Sequence, residues 1–240
     1  MSLKAKIAAA AATFALAGGG LGMLGTLSAS AATPSCGADC KDVYTLKFGP
    51  SFLVDTFQGR AAAGQGVILF QASNSDPAED FVPDDLGLVS SLYTMGKHSL
   101  ITPRFNASYG TLEAYEFQYA PLGRKSGFCA STWPGVIAHP GYKVRLEPCG
   151  HHSNSIWAAD TSPDGDTTSG GYNVYINGAT DRFSNPLVLN YPDGYPTDMP
   201  RPWLNVQPLN DYSDGTVFDN QQWTSVPGPV NSSTKALSAP

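Results

Sequence analysis

The chain has 240 residues and a formal net charge of −6 at pH 7, and its 25 glycines, 19 prolines and only 14% charged residues disfavour a helical bundle. A hydrophobic content of 42% is sufficient for a core, which argues against intrinsic disorder. The acidic balance, with only 14 scattered Lys and Arg residues, excludes the dense positive charge that binding to nucleic acid or to an anionic membrane requires.

The N-terminal segment has the pattern of an export signal. Lys4 and Lys6 precede an uncharged stretch from Ile7 to Leu27, and Ala29-Ser30-Ala31 provides the small residues that a signal peptidase recognises. This stretch is dominated by Ala and Gly and has no basic stop-transfer flank, which favours a cleaved leader over a transmembrane anchor. We therefore expect a signal peptide over residues 1–31, a secreted mature chain and no membrane association after cleavage.

The four cysteines are expected to pair, because thiols in an oxidising compartment normally form disulfides. Of the three possible connectivities, the local one joins Cys36 to Cys40 near the mature N-terminus and Cys129 to Cys149 inside the domain. A structural zinc site through the same four cysteines is the alternative. A redox motif is disfavoured, because the spacing is Cys-x3-Cys and no βαβ pattern surrounds it.

Short alternating, β-branched or aromatic runs recur along the mature chain, each bounded by Gly, Pro, Asn or Asp. No window of fifteen residues keeps the apolar spacing of an amphipathic helix. We therefore predict one all-β domain over residues 44–226, preceded by a segment over 32–43 with a local disulfide and followed by a disordered tail over 227–240. The predicted strands are Tyr44–Phe48, Phe52–Thr56, Gly66–Phe70, Leu88–Thr94, Leu112–Tyr119, Gly127–Ala130, Lys143–Glu147, Tyr172–Ile176, Pro186–Asn190, Leu204–Gln207 and Trp223–Val226.

An internal repeat is the most informative feature of the sequence. Three segments each contain an apolar strand, a gap of about fifteen residues, a second strand, a polar turn and then an aromatic residue. The closing aromatics are Phe81, Trp157 and Trp223, which lie 76 and 66 residues apart. Three copies of a two-hairpin unit predict a β-trefoil with long loop insertions, in which each copy contributes one inward aromatic to a shared core.

The second and third copies resemble the repeats of ricin B-type lectins, also called QxW repeats. Cys129 and Cys149 are twenty residues apart, as in the intra-repeat disulfide of that family, and Asn220-Gln221-Gln222-Trp223 matches its closing motif in full. The second copy keeps only Asn154 and Trp157 of that motif. The chain is also similar to exported bacterial proteins that carry such a fold without an assigned role. The resemblance implies a lectin-like protein that binds an extracellular glycan.

Sugar-binding members of that family use, in each copy, an Asp after the first strand, an aromatic after the second strand and the Asn and Gln of the closing motif. A carboxylate accepts two hydroxyl protons, and an aromatic face covers the apolar side of a pyranose. The resemblance places these carbohydrate-binding positions at Asp55 and Phe70 in the first copy, Asn154 in the second, and Asn190, Asn220 and Gln221 in the third.

No copy is complete, so weak or degenerate glycan sites are expected. Ser131 and Glu147 replace the Asp and the aromatic in the second copy, and Gln207 replaces the aromatic in the third. The third copy should bind best, because it alone keeps the Asn-Gln pair together. We also expect Asn190 and Asn220 to reach the surface.

Several of these residues have an alternative structural role. Asp55 could cap a turn, Asn154 and Asn220 could brace their loops, and the two closing tryptophans are expected in the core. Four further aromatics of the Pro-rich insertion beside the third copy could form a stacking platform or a satellite core; they are Tyr191, Tyr195, Trp203 and Tyr212.

Motifs for metal binding or catalysis are weak. His151-His152 with His139, or the aspartates Asp160, Asp164 and Asp166, could coordinate a cation, but neither group has the spacing of a known site. The chain has no nucleophile elbow, zinc-protease motif or phosphate loop. We therefore expect a monomeric, non-catalytic protein with no metal and no cofactor. The alternative function is a protein-binding β-trefoil, such as a protease inhibitor that presents the Tyr191–Pro202 loop, or an extracellular scaffold.

Overall fold

The computed structural model describes residues 40–73, 77–93, 100–132, 137–150, 152–161, 172–181, 185–192, 201–210 and 216–227. Within these ranges the chain forms twelve β-strands and two short α-helices. The strands are β1 Lys41–Thr45, β2 Phe52–Thr56, β3 Val67–Gln71, β4 Phe81–Leu88, β5 Glu113–Tyr119, β6 Phe128–Ser131, β7 Arg145–Pro148, β8 Trp157–Asp160, β9 Val174–Asn177, β10 Leu187–Asn190, β11 Asn205–Gln207 and β12 Trp223–Pro227. The helices are α1 Val89–Leu92 and α2 Pro103–Tyr109.

Six of the strands form a closed antiparallel barrel. They follow one another in the order β12, β1, β4, β5, β8 and β9, and each is hydrogen-bonded to its neighbours. The ring closes between β9 and β12, where Asn173 and Trp223 exchange two backbone hydrogen bonds of 2.6 and 2.9 Å. Closure leaves no exposed sheet edge in the barrel.

Three hairpins, β2–β3, β6–β7 and β10–β11, meet over one end of this barrel. The backbone N–H of Val67 donates to the carbonyl of Val144, Val144 donates to Leu204, and Leu204 donates to Val67, at 3.1, 2.7 and 2.8 Å. Each residue stands at the same position in its own copy, so the ring has threefold pseudosymmetry. Four strands repeated three times around this axis make the fold a β-trefoil, as the sequence predicts.

The closing aromatics converge in the core, which confirms the prediction made from the repeat. Phe81, Trp157 and Trp223 are buried in one apolar cluster. Trp157 Nε1 donates to the carbonyl of Ala130 at 2.9 Å, and Trp223 Nε1 donates to that of Leu189 at 3.0 Å. Each indole thus ties a barrel strand to the hairpin of its own copy.

The predicted Cys129–Cys149 disulfide is present and joins β6 to the residue that follows β7. Cys40 is also disulfide-bonded, and Cys36, its predicted partner, lies outside the described residues. Two disulfides leave the zinc alternative without thiolate ligands among the described cysteines, none of which is free.

The secondary structure differs from the prediction at strand β1, which spans Lys41–Thr45 and not Tyr44–Phe48, and at several later elements. The strand predicted over Leu88–Thr94 is wrong: strand β4 ends at Leu88 and helix α1 follows it. Strand β4 was not predicted because its sequence, FVPDDLGL, contains Pro, Asp and Gly, which rarely occur in strands. Strand β8 was also not predicted, because its sequence, WAAD, is short and lacks β-branched residues.

Helix α2 was not predicted either. Thr102 caps its N-terminus, because its hydroxyl accepts a hydrogen bond from the backbone N–H of Phe105 at 3.1 Å. Pro103 occupies the first turn, where a missing N–H costs nothing, and Phe105 is buried in a second apolar cluster with Val89 and Ile156. Seven residues are too few to show a helical period in the sequence.

The barrel extends slightly beyond the predicted domain boundaries. Strand β1 begins at Lys41, inside the segment predicted over 32–43, and β12 ends at Pro227. The predicted leader over 1–31 and all but the first residue of the predicted tail lie outside the described residues. In the part of the chain that is described, no helix has the length and apolar character needed to cross a membrane.

Candidate functional site

The strand register defines which residues of the three copies are equivalent. Asp55 pairs with Ile68, Ser131 with Arg145, and Asn190 with Asn205. Each of these partners directly follows a member of the Val67, Val144 and Leu204 ring. Asp55, Ser131 and Asn190 therefore occupy the same position in the three hairpins, as the internal repeat of the sequence predicts.

In the third copy this position belongs to a chain of side-chain amides. Asn190 Nδ2 donates to Asn205 Oδ1 at 2.8 Å, and Asn190 Oδ1 accepts from Gln221 Nε2 at 3.3 Å. Gln221 is completely buried; its Nε2 also donates to the carbonyl of Pro208, and its Oε1 accepts from the backbone N–H of Asn210, both at 2.9 Å. The closing motif thus holds Asn190 in a fixed orientation.

The expectation that Asn190 reaches the surface is wrong, because only 5% of the residue is exposed. Its amide is enclosed between the second strand of its hairpin and the closing motif. Asn220 is half-buried, and its Nδ2 donates to the carbonyl of Tyr191 at 3.0 Å. Tyr191 itself is fully buried and packs edge-on against Phe48, so it is a core residue and offers no stacking surface.

Three half-buried side chains at this hairpin retain hydrogen-bonding groups for a ligand. Within the described part of the chain, Asn205 Nδ2 donates no hydrogen bond, Asn220 Oδ1 accepts none, and the amide of Gln207 makes none. Asn205 was missed by the sequence analysis. Pairing the two predicted strands of this hairpin in sequence would have indicated it, because Asn205 lies directly opposite Asn190.

In the first copy, one predicted residue is buried and the other is partly covered by a neighbouring side chain. Asp55 is buried in the hairpin, and only 3% of it is exposed. Phe70 is half-buried, and the guanidinium carbon of Arg201 lies 3.8 Å from the centre of its ring. One face of the ring is therefore covered by a cation.

The second copy has the least ligand-binding chemistry at these positions. Ser131 is buried and its hydroxyl donates to the carbonyl of Cys129 at 3.1 Å, while Glu147 forms an ion pair with Arg145. Asn154 is buried, and its Nδ2 donates to the carbonyl of Thr132 at 3.1 Å. Asn154 therefore braces its loop, as the structural alternative predicted.

The remaining candidates are distributed as follows. Trp203 is half-buried beside Gly66, with Lys143 Nζ 5.0 Å from the centre of its ring. Tyr195, Tyr212, His151, Asp164 and Asp166 lie outside the described residues. Among the residues that are described, no three His, Cys, Asp or Glu side chains form a group that could hold a metal ion.

No family model matches the chain, and no curated protein matches its sequence. Among solved structures, it is similar to the designed threefold-symmetric protein ThreeFoil at 15% identity, covering 78% of this chain and 98% of that one, with a TM-score of 0.48.

It is also similar to the agglutinin of Rhizoctonia solani at 15% identity, covering 79% and 95% of the two chains with a TM-score of 0.45. The binding domain of botulinum neurotoxin serotype D matches at 9% identity over 79% of this chain and 41% of that one, also with a TM-score of 0.45. The β-trefoil fold rests on the strand pairing described above, and the ligand has to be inferred from the chain's own residues.

Proposed function

We propose that this protein is a secreted, non-catalytic carbohydrate-binding protein in which the third copy holds a weak glycan site. The observation that carries the proposal is the amide chain from Gln221 through Asn190 to Asn205. It fixes the residue at the family's Asp position and leaves polar groups of Asn205, Gln207 and Asn220 beside it. The disulfide between Cys129 and Cys149 supports an oxidising, extracellular location.

Weak affinity follows from the residue types at this site. An amide oxygen forms a neutral hydrogen bond, which is about half as strong as the charged bond of a carboxylate. Gln207 has no ring to cover a sugar face, and Asn190 is almost fully buried. We expect dissociation constants in the high micromolar to millimolar range, which correspond to binding free energies of about −4 to −6 kcal/mol.

A gain-of-function variant tests the proposal directly. Gln207→Trp places an aromatic face at the half-buried end of β11, where sugar-binding relatives carry one, and should tighten oligosaccharide binding about tenfold, or 1.4 kcal/mol. Glu147→Trp is the matched control, because it introduces the same ring at the same position of the second copy, where Ser131 provides no amide. Equal effects of the two substitutions would contradict a site in the third copy.

Loss-of-function variants provide a second test of the proposed glycan site. Asn220→Ala removes a half-buried amide and should abolish the oligosaccharide binding measured by calorimetry, whereas Asp55→Ala should not change it. Circular dichroism and thermal unfolding identify any variant that fails to fold. Sensitivity to Asp55 and not to Asn220 would place the site in the first copy.

The Tyr191–Pro202 loop, which would carry the alternative protein-binding function, is mostly outside the described residues.

A further inference from the structure

A pocket of about 300 Å³ opens at the end of the barrel opposite the hairpins. Strands β1, β5 and β9 begin at this end and lead towards the hairpins at the other. All six barrel strands contribute to the pocket, which we call the barrel mouth; its lining residues are Lys41, Pro83, Glu113, Tyr115, Phe117, Ala159, Thr161, Asn173, Tyr175 and Ser225.

The pseudosymmetry shows how the mouth acquires two different sides. Lys41, Tyr115 and Asn173 are equivalent, since each pairs with the closing aromatic of its own copy. One threefold ring of positions therefore carries a cation, a phenol and an amide. The wall at Tyr115 is therefore aromatic and the walls at Lys41 and Asn173 are polar, although the backbone repeats in the three copies.

The floor of the mouth is aromatic. Phe117 and Tyr175 line both the mouth and the apolar core beneath it, with ring centroids 4.9 Å apart and planes at 77°. The equivalent residue of the first copy is Val43, a much smaller side chain, which leaves room beside the two rings. Tyr115 continues the aromatic surface, stacked on Phe117 at 6.4 Å.

The rim supplies hydrogen-bonding groups, and the charges that line the mouth balance. The Tyr115 hydroxyl donates to Glu113, and Lys41 forms no ion pair within the described part of the chain. Lys41 and Glu113 are the one cation and the one carboxylate of the lining, and Asp85, opposite Tyr115 on β4, adds negative charge beside them, so the mouth disfavours an anionic ligand. The amide of Asn173 and the hydroxyl of Ser225 add further donors and acceptors.

The geometry points to the barrel mouth as a separate binding site for a neutral, polyhydroxylated ring of monosaccharide size. An aromatic floor covers the apolar face of such a ring, and the Lys41, Glu113 and Asn173 side chains match its hydroxyls. The volume is at the lower end of small-molecule pockets, which fits one ring and excludes a longer chain inside the mouth. This site shares no residue with the third-copy hairpin.

The two tyrosines remain hydrogen-bond donors at neutral pH. Burial raises the pKa of Tyr175 to about 12, and burial together with the hydrogen bond to Glu113 raises the pKa of Tyr115 above its ordinary value. Both phenols therefore keep their protons, and the proton of Tyr115 is held in its hydrogen bond to Glu113.

The experiment measures binding of methyl glycosides of glucose, galactose, mannose and N-acetylglucosamine to the purified full-length protein by saturation-transfer NMR and calorimetry. Ala159→Phe fills the mouth and should weaken binding at least about tenfold. Glu113→Gln, at an exposed position, replaces the carboxylate by an amide of the same size and should weaken it about threefold to tenfold. Ala107→Phe, the same substitution at an exposed position of α2, is the matched control and should have no effect.

The outcomes separate this site from the one under Proposed function. Binding of a methyl glycoside that is lost in Ala159→Phe and kept in Asn220→Ala supports the mouth. Binding that is unchanged in both Ala159→Phe and Glu113→Gln overturns the proposed site. The proposal is also overturned if none of the four methyl glycosides binds. Binding of choline or phenylacetate in the mouth, with no glycoside bound there, also overturns it, because the pocket would then select a charged ligand.

Discussion

Arg201 lies over the ring of Phe70, with its guanidinium carbon 3.8 Å from the ring centre. Arg201 Nε is buried and has no hydrogen-bond partner among the described residues, so the ring is a principal contact of this cation. The contact joins the long loop of the third copy to the hairpin of the first. It also removes the aromatic face that the sequence marked as a stacking surface for a sugar.

We expect this contact to be measurable as a coupling energy. Arg201→Gln removes the cation, Phe70→Leu removes the ring, and the double variant closes a thermodynamic cycle. Urea unfolding should give a coupling of about 0.5–2 kcal/mol, the range of cation–π pairs from exposed to desolvated sites. Additive single effects would show that the two groups are only neighbours. Arg201→Lys keeps the charge and serves as the conservative control.

The Cys129–Cys149 disulfide should contribute strongly to stability. It links residues 20 positions apart, and restricting a loop of this length in the unfolded chain is worth about 3 kcal/mol. The Cys129→Ala/Cys149→Ala double variant should lose about that much free energy of unfolding in urea. Wild-type protein reduced with dithiothreitol should lose at least as much, because reduction also opens the disulfide of Cys40. A loss below about 1 kcal/mol would mean that the cross-link hardly restricts the unfolded state.

The fold was predictable from the sequence because a threefold architecture repeats the same pattern of apolar and aromatic residues in each copy. The apolar hairpin strands and the closing aromatics recur, and Trp157 and Trp223 mark equivalent places even where the rest of the motif has changed. Strand β4 escaped prediction because its pairing with β1 and β5 outweighs the local preferences of Pro83 and Gly87.

The candidate sites were less predictable, because burial and long-range contacts decide them. Asn190 has the same strand register as Asp55, as the repeat predicts, yet the closing motif encloses it. Nothing in the local sequence indicates that Arg201 covers Phe70, 131 positions earlier in the chain. The barrel mouth is assembled from six strands whose residues form no motif in the sequence.

Gly66 is required by the close approach of Trp203. A Cβ atom at Gly66 would lie 2.4 Å from a carbon of the indole ring, which is far inside van der Waals contact. Gly66→Ala should therefore destabilise the protein by about 1–3 kcal/mol in urea unfolding. Gly150→Ala is the matched control: its Cβ would meet only the exposed His152 side chain, at 3.2 Å, and should cost less than about 0.5 kcal/mol. Equal costs would show that the indole moves aside freely.

Tyr175 should make the stability of the protein depend on pH in the alkaline range. Burial raises its pKa from 10.0 to about 12, and the hydrogen bond with Asn173 opposes this rise only in part. Between pH 10 and pH 12 the folded state keeps a proton that the unfolded state has lost, so the free energy of unfolding falls as pH rises. The contribution of Tyr175 is fully present below pH 10 and is lost as the pH rises towards 12.

The measurement compares urea unfolding of wild type and Tyr175→Phe at pH 9 and pH 11. One pH unit above the unfolded pKa corresponds to about 1.4 kcal/mol, so the wild type should lose about that much more stability between the two conditions than the variant. Groups that do not interact with Tyr175 contribute equally to both proteins and cancel in the difference. Making the same comparison in a Tyr115→Phe background removes Tyr115, whose pKa Tyr175 also raises. Equal losses would contradict a raised pKa at Tyr175 and, with it, the dry aromatic floor that the structure places under the barrel mouth.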